Sequence, residues 1–545
     1  MKHQLLLERI DTLAQRALDE AEAQGMALGI STPGGERIIC TYGFANRDAQ
    51  LPVEETTLFE IGSISKHFLA VVFMQLAAEG RIDLHAPVMD YLPWFSVRSE
   101  HAPITPHHLL CHTAGLPTGF AHRPDSMMEL WELRTVRPGA PGEYWHYSDV
   151  GYSLLGELAE TVIGQSFDQL IRERVLEPVG LEDSYASVTS SMRSALAVGY
   201  KRQYDGRPWR SGSPVYPATW LETSSGAGSI VMTTSDLLSW AEFLLRTWHG
   251  ADSPVLTSAQ LHAMVDGSLL PKPAADEHYG YGLYWRTGDE DGIIFLGHGG
   301  DMVGYESGMG IDLANGICVV WLANGMVPDY SFRDDVSRLV ASAQAGQPLA
   351  ELPDETLRSW AGADAWTGAW HSRDRSIEIM LAGEGLTMLC DDQRIALQRY
   401  SRRSNFYLAI DDPQWGRFLF EAGRDETEAD MPRPIVKLHH GAETLVRMSE
   451  PVAAVDYPPD WNGYVGVYRS YNPWYPAVWF VIREGKLVLI DGYGTATELV
   501  PEGDGFRVGA EPPNFDLLRF EPVIGGRAMG VRFETGADYS RFFAD

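Results

Sequence analysis

A serine hydroxyl is a poor nucleophile until one group takes its proton and another receives the oxyanion its attack creates. Ser63 and Lys66 stand three residues apart in Phe59-Glu-Ile-Gly62-Ser63-Ile-Ser-Lys66, where a turn at Gly62 runs into a helix that ends near Gly80. Residues three apart lie on one side of a helix, one turn above each other. Lys66 can therefore take the Ser63 proton. The backbone N–H groups and the dipole at the helix start favour the oxyanion. Serine is also a common helix N-cap, so the tetrapeptide alone has a purely structural reading. Two features favour chemistry. Lysine occurs only as Lys2, Lys66, Lys201, Lys272, Lys437 and Lys486, and Lys66 alone has a serine three residues before it. It also sits in an otherwise apolar helix, with Ile64, Phe68, Val71, Val72 and Leu76 on the face expected to be buried, where an unpaired lysine is costly.

Partners for this pair lie downstream. Tyr147 ends a polar loop just ahead of an apolar-periodic helix. By itself it is packing; near Ser63 it is a phenol or phenolate able to shuttle a proton to a leaving group, and Lys66 would favour its ionised form. His298 ends a strand, with Gly299 and Gly300 leaving backbone open for an extended substrate. His107, His108 and His112 invite a metal reading, but no carboxylate or thiolate joins them at ligand spacing, so neither metal nor cofactor is expected.

The elements that must position these groups follow from periodicity. An amphipathic helix is expected from about Leu5 to Ala23, then two strands around the Pro33-Gly-Gly35 hairpin, and a helix spanning the Ile104–Pro117 region. Beyond Gly226 come a strand and a helix starting near Ser235-Asp236. Strands follow at Tyr279–Trp285, 293–301, Met309–Leu313 and Ile317–Asn324, and a helix over 331–340 closes the unit. Helices between N-terminal and C-terminal antiparallel strands predict an α+β domain on one sheet.

Ser63-x-x-Lys66, Tyr147-x-Asp149 and His298-x-Gly300, in that order, resemble the penicillin-recognising serine hydrolases, most of all the class C β-lactamase, D-Ala-D-Ala carboxypeptidase and D-aminopeptidase group. Leu109-Leu-Cys-His-Thr-Ala-Gly-Leu-Pro117 and Gly297-His-Gly-Gly300 agree, and the resemblance covers roughly residues 1 to 340. It implies that Ser63 is acylated, that Lys66 and Tyr147 share its proton, and that the backbone N–H groups of Ser63 and Asp301 form the oxyanion hole, with Gly299 and Gly300 along the substrate. Which of Lys66 and Tyr147 is the base stays open. Two positions depart from the pattern. His298 stands where β-lactamases usually carry lysine, and histidine is largely neutral at pH 7. Asp149 stands where asparagine is the norm. It is able to pair with Lys66 or to meet a substrate ammonium, and the second option is the expectation, favouring a substrate with a free amine.

The chain of 545 residues is too long for one ordinary domain, and 45% hydrophobic with 21% charged residues is a globular composition. A net charge of −31 without a basic run argues against nucleic acid and anionic membranes as partners. No stretch has the roughly 20 apolar residues of a membrane span, and the N-terminus lacks a signal-peptide core, so a cytoplasmic location is expected. Cys40, Cys111, Cys318 and Cys390 are far apart and read as free thiols. A homo-oligomer is compatible with the sequence, which does not set the oligomeric state.

The last third is β-rich with a weak repeat: Trp366-Thr-Gly-Ala-Trp370-His-Ser372 is echoed by Gly463-Tyr-Val-Gly-Val-Tyr468-Arg-Ser470. Two small antiparallel barrels are expected, the second lipocalin-like. The domains would then run 1–345, 346–452 and 453–545. A catalytic domain with two barrels resembles bacterial D-aminopeptidase, in which a barrel loop reaches the active site. Tyr471–Tyr475 and the Asp412 region are the candidates for such a loop. The combined expectation is a serine hydrolase of small amides or short peptides, a D-specific aminopeptidase or amidase first. A carboxylesterase, weak β-lactamase, D-Ala-D-Ala carboxypeptidase or non-catalytic binder are the alternatives.

Overall fold

A computed structural model describes residues 2–119, 126–202, 207–208, 212–271, 277–287, 294–327, 332–349, 352, 357, 362–383, 385–400, 406–409, 412–424, 435–509, 516–534 and 536–543. The N-terminal unit is built on one antiparallel sheet of eight strands. Their order is Leu51–Pro52, Arg37–Asn46, Gly25–Ser31, Ile317–Ala323, Tyr305–Asp312, Ile294–Met302, Tyr284–Thr287, Glu277–Tyr279. The chain's first long strand thus pairs with its last in this unit, Met26 opposite Ala323 and Ser31 opposite Cys318.

Side chains alternate between the two sheet faces. Leu28, Ile30, Val319 and Trp321 face a core made with the helices Lys2–Asp19 and Phe332–Gln344, whereas Ala27, Val320 and Leu322 face the larger core on the other side. The first helix stops at Asp19, short of the expected Ala23. Residues 20–24 turn instead, so that Glu22 N–H donates to the Met326 carbonyl at 2.8 Å. The Tyr279–Trp285 run, expected as one strand, is two: Tyr284 pairs back onto Tyr279 across a turn in which Gly282 has φ +73°.

The helix Ser65–Ala78 lies inside the larger core. Every residue from Ser65 to Phe73 is buried, Lys66 and His67 included, so the expected single apolar face is in fact the whole circumference. A helix apolar all round belongs at the centre of a domain. It ends at Gly80, φ +69°, where Arg81 N–H returns to the Leu76 carbonyl at 2.9 Å.

Two closed eight-stranded barrels follow, from Gly368 to Arg447 and from Gly466 to Phe542. The sequence repeat marks equivalent places in them. Each barrel opens with a short 3₁₀ turn, Ala363–Trp366 or Pro459–Gly463, then a first strand carrying Trp370 or Tyr468. In each, an arginine of the last strand covers that aromatic ring: Arg447 over Trp370 at 3.7 Å and Arg541 over Tyr468 at 5.0 Å. The first barrel holds the second through Arg483–Glu421 at 2.9 Å and Lys437–Glu484 at 2.9 Å.

Candidate active site

Ser63 occupies a 3₁₀ turn, Gly62–Ile64, that feeds directly into the buried helix. Gly62 has φ +52°, and a Cβ there would lie 2.7 Å from the Asp301 nitrogen and 2.8 Å from its oxygen. Only glycine permits that approach. Gly300 packs more closely still, since a Cβ there would lie 2.0 Å from the Ile61 carbonyl oxygen, and Ser307 Oγ donates to the same carbonyl at 2.9 Å. Tight packing of backbone on backbone thus seats the Ser63 turn beside Gly300 and Asp301.

Lys66 is fully buried and makes three polar contacts. Its Nζ reaches Ser63 Oγ at 2.9 Å, the Ala227 carbonyl at 2.6 Å and Asp149 Oδ1 at 2.6 Å. An ammonium has three donors, and all three are taken. A neutral amine fits the same partners, donating to Ala227 and Asp149 and accepting from the Ser63 hydroxyl. Burial lowers the Lys66 pKa from its ordinary value, and the Asp149 carboxylate opposes that shift.

Tyr147 and Asp149 flank Ser148, the N-cap of the helix Asp149–Ile163, whose Oγ accepts from Gly151 N–H at 3.1 Å. His112 positions this corner. It takes φ +57°, ending the short helix Pro106–Leu110 well before the expected limit. Its Nδ1 accepts from Ser148 N–H at 2.9 Å, and its ring stacks on Tyr147 with centroids 4.3 Å apart. Tyr147 bonds to Ser63, and its pKa is raised well above 10, first by burial and then by Asp149. Lys66 is expected to favour a phenolate, whereas burial and the Asp149 carboxylate both favour the phenol. Of the two options for Asp149 the structure shows the first: its carboxylate is paired with Lys66 at 2.6 Å, and about a quarter of the side chain (27%) stays open to the cavity.

His298 lies in the strand Ile294–Met302. Its Nε2 meets the Tyr279 hydroxyl at 3.0 Å, its Nδ1 the Gly299 carbonyl, and burial lowers its pKa to about 3. The ring is neutral at pH 7. Beyond Gly297 the strand has no ladder partner on its outer side among the described residues, which leaves the Gly299–Asp301 edge to face the Ser63 turn. His107 and His108 bond instead to Tyr281 and Thr105. Among the described residues no cluster of metal-ligating side chains exists.

A cavity of about 270 Å³ opens over Ser63. Tyr147, Asp149, Asp301 and Met302 line it, and Trp474 and Tyr475 of the second barrel close it. No lysine, arginine or histidine lines it among the described residues. A further residue of the second barrel acts from behind. Asp516 accepts from Thr118 N–H at 3.0 Å and Thr118 Oγ1 at 2.9 Å, and lies 3.7 Å from His146. The Thr118 carbonyl in turn accepts from Asp149 N–H at 2.7 Å. A chain of contacts therefore runs from Asp516 through Thr118 and Asp149 to Lys66. Of the two loop candidates, Tyr471–Tyr475 reaches the cavity. Asp412 instead caps its own turn through Gln414 and Trp415 N–H. No motif or spacing points to Thr118 or Asp516, and Ala227, inside the Gly226-Ala-Gly228 turn, acts through its backbone carbonyl, which carries no side-chain signal. Asp516 meets Thr118 across almost 400 residues (398).

Residues 10–344 match the family described as Beta-lactamase. The chain is similar to penicillin-binding protein 4 of Amycolatopsis lactamdurans, 27% identical over 63% of this chain and 91% of that protein. It is similar to a β-lactamase of Pseudomonas fluorescens, 31% identical over 43% of this chain and 63% of the relative. A solved structure, the octameric penicillin-binding protein homologue from Pyrococcus abyssi, shares the fold with a TM-score of 0.56 at 20% identity, over 82% of this chain and all of that one (100%).

Proposed function

This chain belongs to the β-lactamase family of serine hydrolases, and on that premise we propose that it works through an acyl-enzyme on Ser63. One observation carries the reading: Lys66 Nζ is held 2.9 Å from Ser63 Oγ by partners that suit both its charged and its neutral form. Lys66 is the base, because burial moves it toward neutrality and moves Tyr147 away from ionisation. Neutral Lys66 takes the hydroxyl proton as Ser63 Oγ bonds to the substrate carbonyl carbon. The carbonyl oxygen becomes an oxyanion facing the backbone N–H groups of Ser63 and Asp301. Collapse of that intermediate breaks the bond to the leaving group, which receives a proton from Lys66 through the Tyr147 hydroxyl. Water, deprotonated along the same path, then frees the acyl group and restores Ser63. His298 is a neutral partner of Tyr279 that holds the strand carrying Gly299 and Gly300, along which the substrate lies.

The finer reading is an aminopeptidase or amidase of small substrates, D-specific by analogy with the two-barrel relatives. It is supported by a cavity that carries Asp149 and Asp301 and no cation among the described residues, which suits a substrate ammonium better than a carboxylate; burial raises the Asp301 pKa to about 7, and a bound ammonium would favour its charged form. Trp474 and Tyr475 narrow the cavity and so limit the bulk of what enters. An esterase needs no such ammonium and is the second reading. Release of p-nitroaniline from D-alanine and L-alanine p-nitroanilides, with Ser63→Ala as blank, decides between them. Turnover of the D form is expected. Cleavage of p-nitrophenyl esters with neither anilide turned over would move the protein to the esterases.

A further inference from the structure

A second cavity, of about 320 Å³, lies where the catalytic domain meets the second barrel. It shares Trp474 with the Ser63 cavity, and its other walls include Tyr216, Tyr493 and Val303, the last one residue from Met302 of the Ser63 cavity. Among the described residues its charged lining is Lys201, Arg202 and Glu22. Two cations against one carboxylate is unusual in a chain of net charge −31 with so few lysines.

Among the described residues both cations are under-used. Lys201 Nζ makes one long bond, 3.4 Å to the Pro473 carbonyl. Arg202 is nine-tenths buried, with its side chain 10% exposed. Its Nε is 3.8 Å from Glu22, its Nη2 meets the Gly492 carbonyl, and its Nη1 is buried without a hydrogen-bond partner. An unpaired buried donor of this kind costs stability unless something fills it. Burial raises the Glu22 pKa and lowers that of Lys201, while the opposite charges of the cluster act against both shifts, so a second carboxylate would add to the charged form of Lys201. Asp301 and Glu306 act on Lys201, and Asp491 on Arg202, only at longer range; they favour the charged cations and do not line the cavity. The aromatic walls suit the apolar stem of a ligand, and Lys201 also lies 5.6 Å from the Trp474 ring centre.

We propose that this seam is a carboxylate subsite, in which Lys201 and Arg202 hold the free carboxylate of a short peptide whose scissile bond lies at Ser63. The proposal deepens the aminopeptidase reading and rests on it. The acidic cavity over Ser63 takes the ammonium end, and the cationic seam beyond Trp474 takes the other end. The substrate class becomes short zwitterionic peptides rather than simple amides.

The test titrates the Ser63→Ala chain by calorimetry with alanyl-glycine, alanyl-diglycine and alanyl-triglycine, each with D- and L-alanine and each as free acid and C-terminal amide. At one length the free acid is expected to bind about tenfold or more tighter than the amide. That ratio should fall to within about twofold in the Arg202→Gln background, and Lys201→Gln, whose side chain makes a single long bond, gives the same readout should Arg202→Gln fail to fold. Equal binding of acid and amide at every length overturns the proposal, as does absence of binding or an acid preference that survives both substitutions. Alanine release from the same peptides by the Ser63 chain is scored separately. No release with the acid preference intact would sink the aminopeptidase reading and leave the subsite standing.

Discussion

The two barrels share one plan and do different work. Both close eight strands, both open on a 3₁₀ turn, and both clamp the first-strand aromatic with a last-strand arginine. The second sends Trp474, Tyr475 and Asp516 into the catalytic domain. Among the described residues, the first contributes nothing to the Ser63 cavity and instead braces its neighbour through Glu421 and Lys437. A repeated scaffold has thus been divided into one copy that shapes a site and one that supports the shaper. The difference resides in loops, while the strands of both copies keep the same core logic.

The comparison breaks most readily at Asp516. Asp516→Ala removes the acceptor for Thr118, frees the carbonyl that fixes Asp149, and should lower kcat/KM by roughly 30-fold or more, with Asp516→Asn recovering part of it. Asp412→Ala, at the first barrel's capped turn, should stay within about twofold. Steady-state kinetics on one good substrate measures both, and equal losses would erase the distinction between the barrels.

Trp474→Ala should come next. Opening the wall shared by the two cavities is expected to raise KM for small substrates by about tenfold, with kcat changed less, and to admit bulkier ones. An unchanged size profile would mean that the second barrel is a brace as well.

Acid should unfold both regions for the same reason and inactivate only one. His298 of the catalytic domain, at about 3, and His440 of the first barrel, at about 4, are buried and neutral. Unfolded histidine titrates near 6.5, so below that value the unfolded state binds protons that the folded state refuses. The stability these two groups contribute is complete above about pH 6.5 and is lost as pH falls toward 3 to 4. Urea midpoints between pH 7 and 4 should therefore fall, and His440→Gln should flatten the slope without moving the pH–rate profile. Asp149→Asn does the reverse: removing the carboxylate that holds Lys66 charged should shift the acidic limb of kcat/KM to lower pH. A shift to higher pH would contradict Lys66 as base.

The smallest effects test the shared plan. Arg447→Ala removes a cation–π contact and the bonds to the Thr367 and Ala365 carbonyls, and should cost about 1 to 3 kcal/mol; Arg541→Ala removes a cation–π contact and the bonds to the Ala528, Val465 and Gly463 carbonyls and the Tyr468 hydroxyl, and should cost more. The partly exposed Lys437–Glu484 pair should be worth less than about 1 kcal/mol.

Much of this architecture is legible in the amino-acid sequence. The Ser63 turn, the order of Tyr147 and His298 after it, and the barrel echo at Trp370 and Tyr468 follow from motif, spacing or repeat, whereas the resemblance left two loops, Tyr471–Tyr475 and the Asp412 region, as candidates to reach the site. What escapes has physical causes. Tyr147 favours the phenol because burial, invisible in the sequence, and the Asp149 carboxylate both act against its ionisation. Asp149 is paired because Lys66 is buried and the helix start aims the carboxylate at it. The Tyr279–Trp285 hairpin reads as one strand because its glycines break an otherwise alternating aromatic run. Asp516 and the seam cations Lys201 and Arg202 belong to contacts between distant domains, for which local pattern has no signature.

Every step of the mechanism depends on Ser63 as the acylated nucleophile and Lys66 as its base. Intact-mass and peptide-mapping spectra after reaction with a fluorophosphonate test both roles. A single adduct is expected on the peptide containing Ser63, absent in Ser63→Ala and formed at least about a hundredfold more slowly in Lys66→Met. An adduct on another residue, or undiminished labelling of Ser63→Ala, would contradict it.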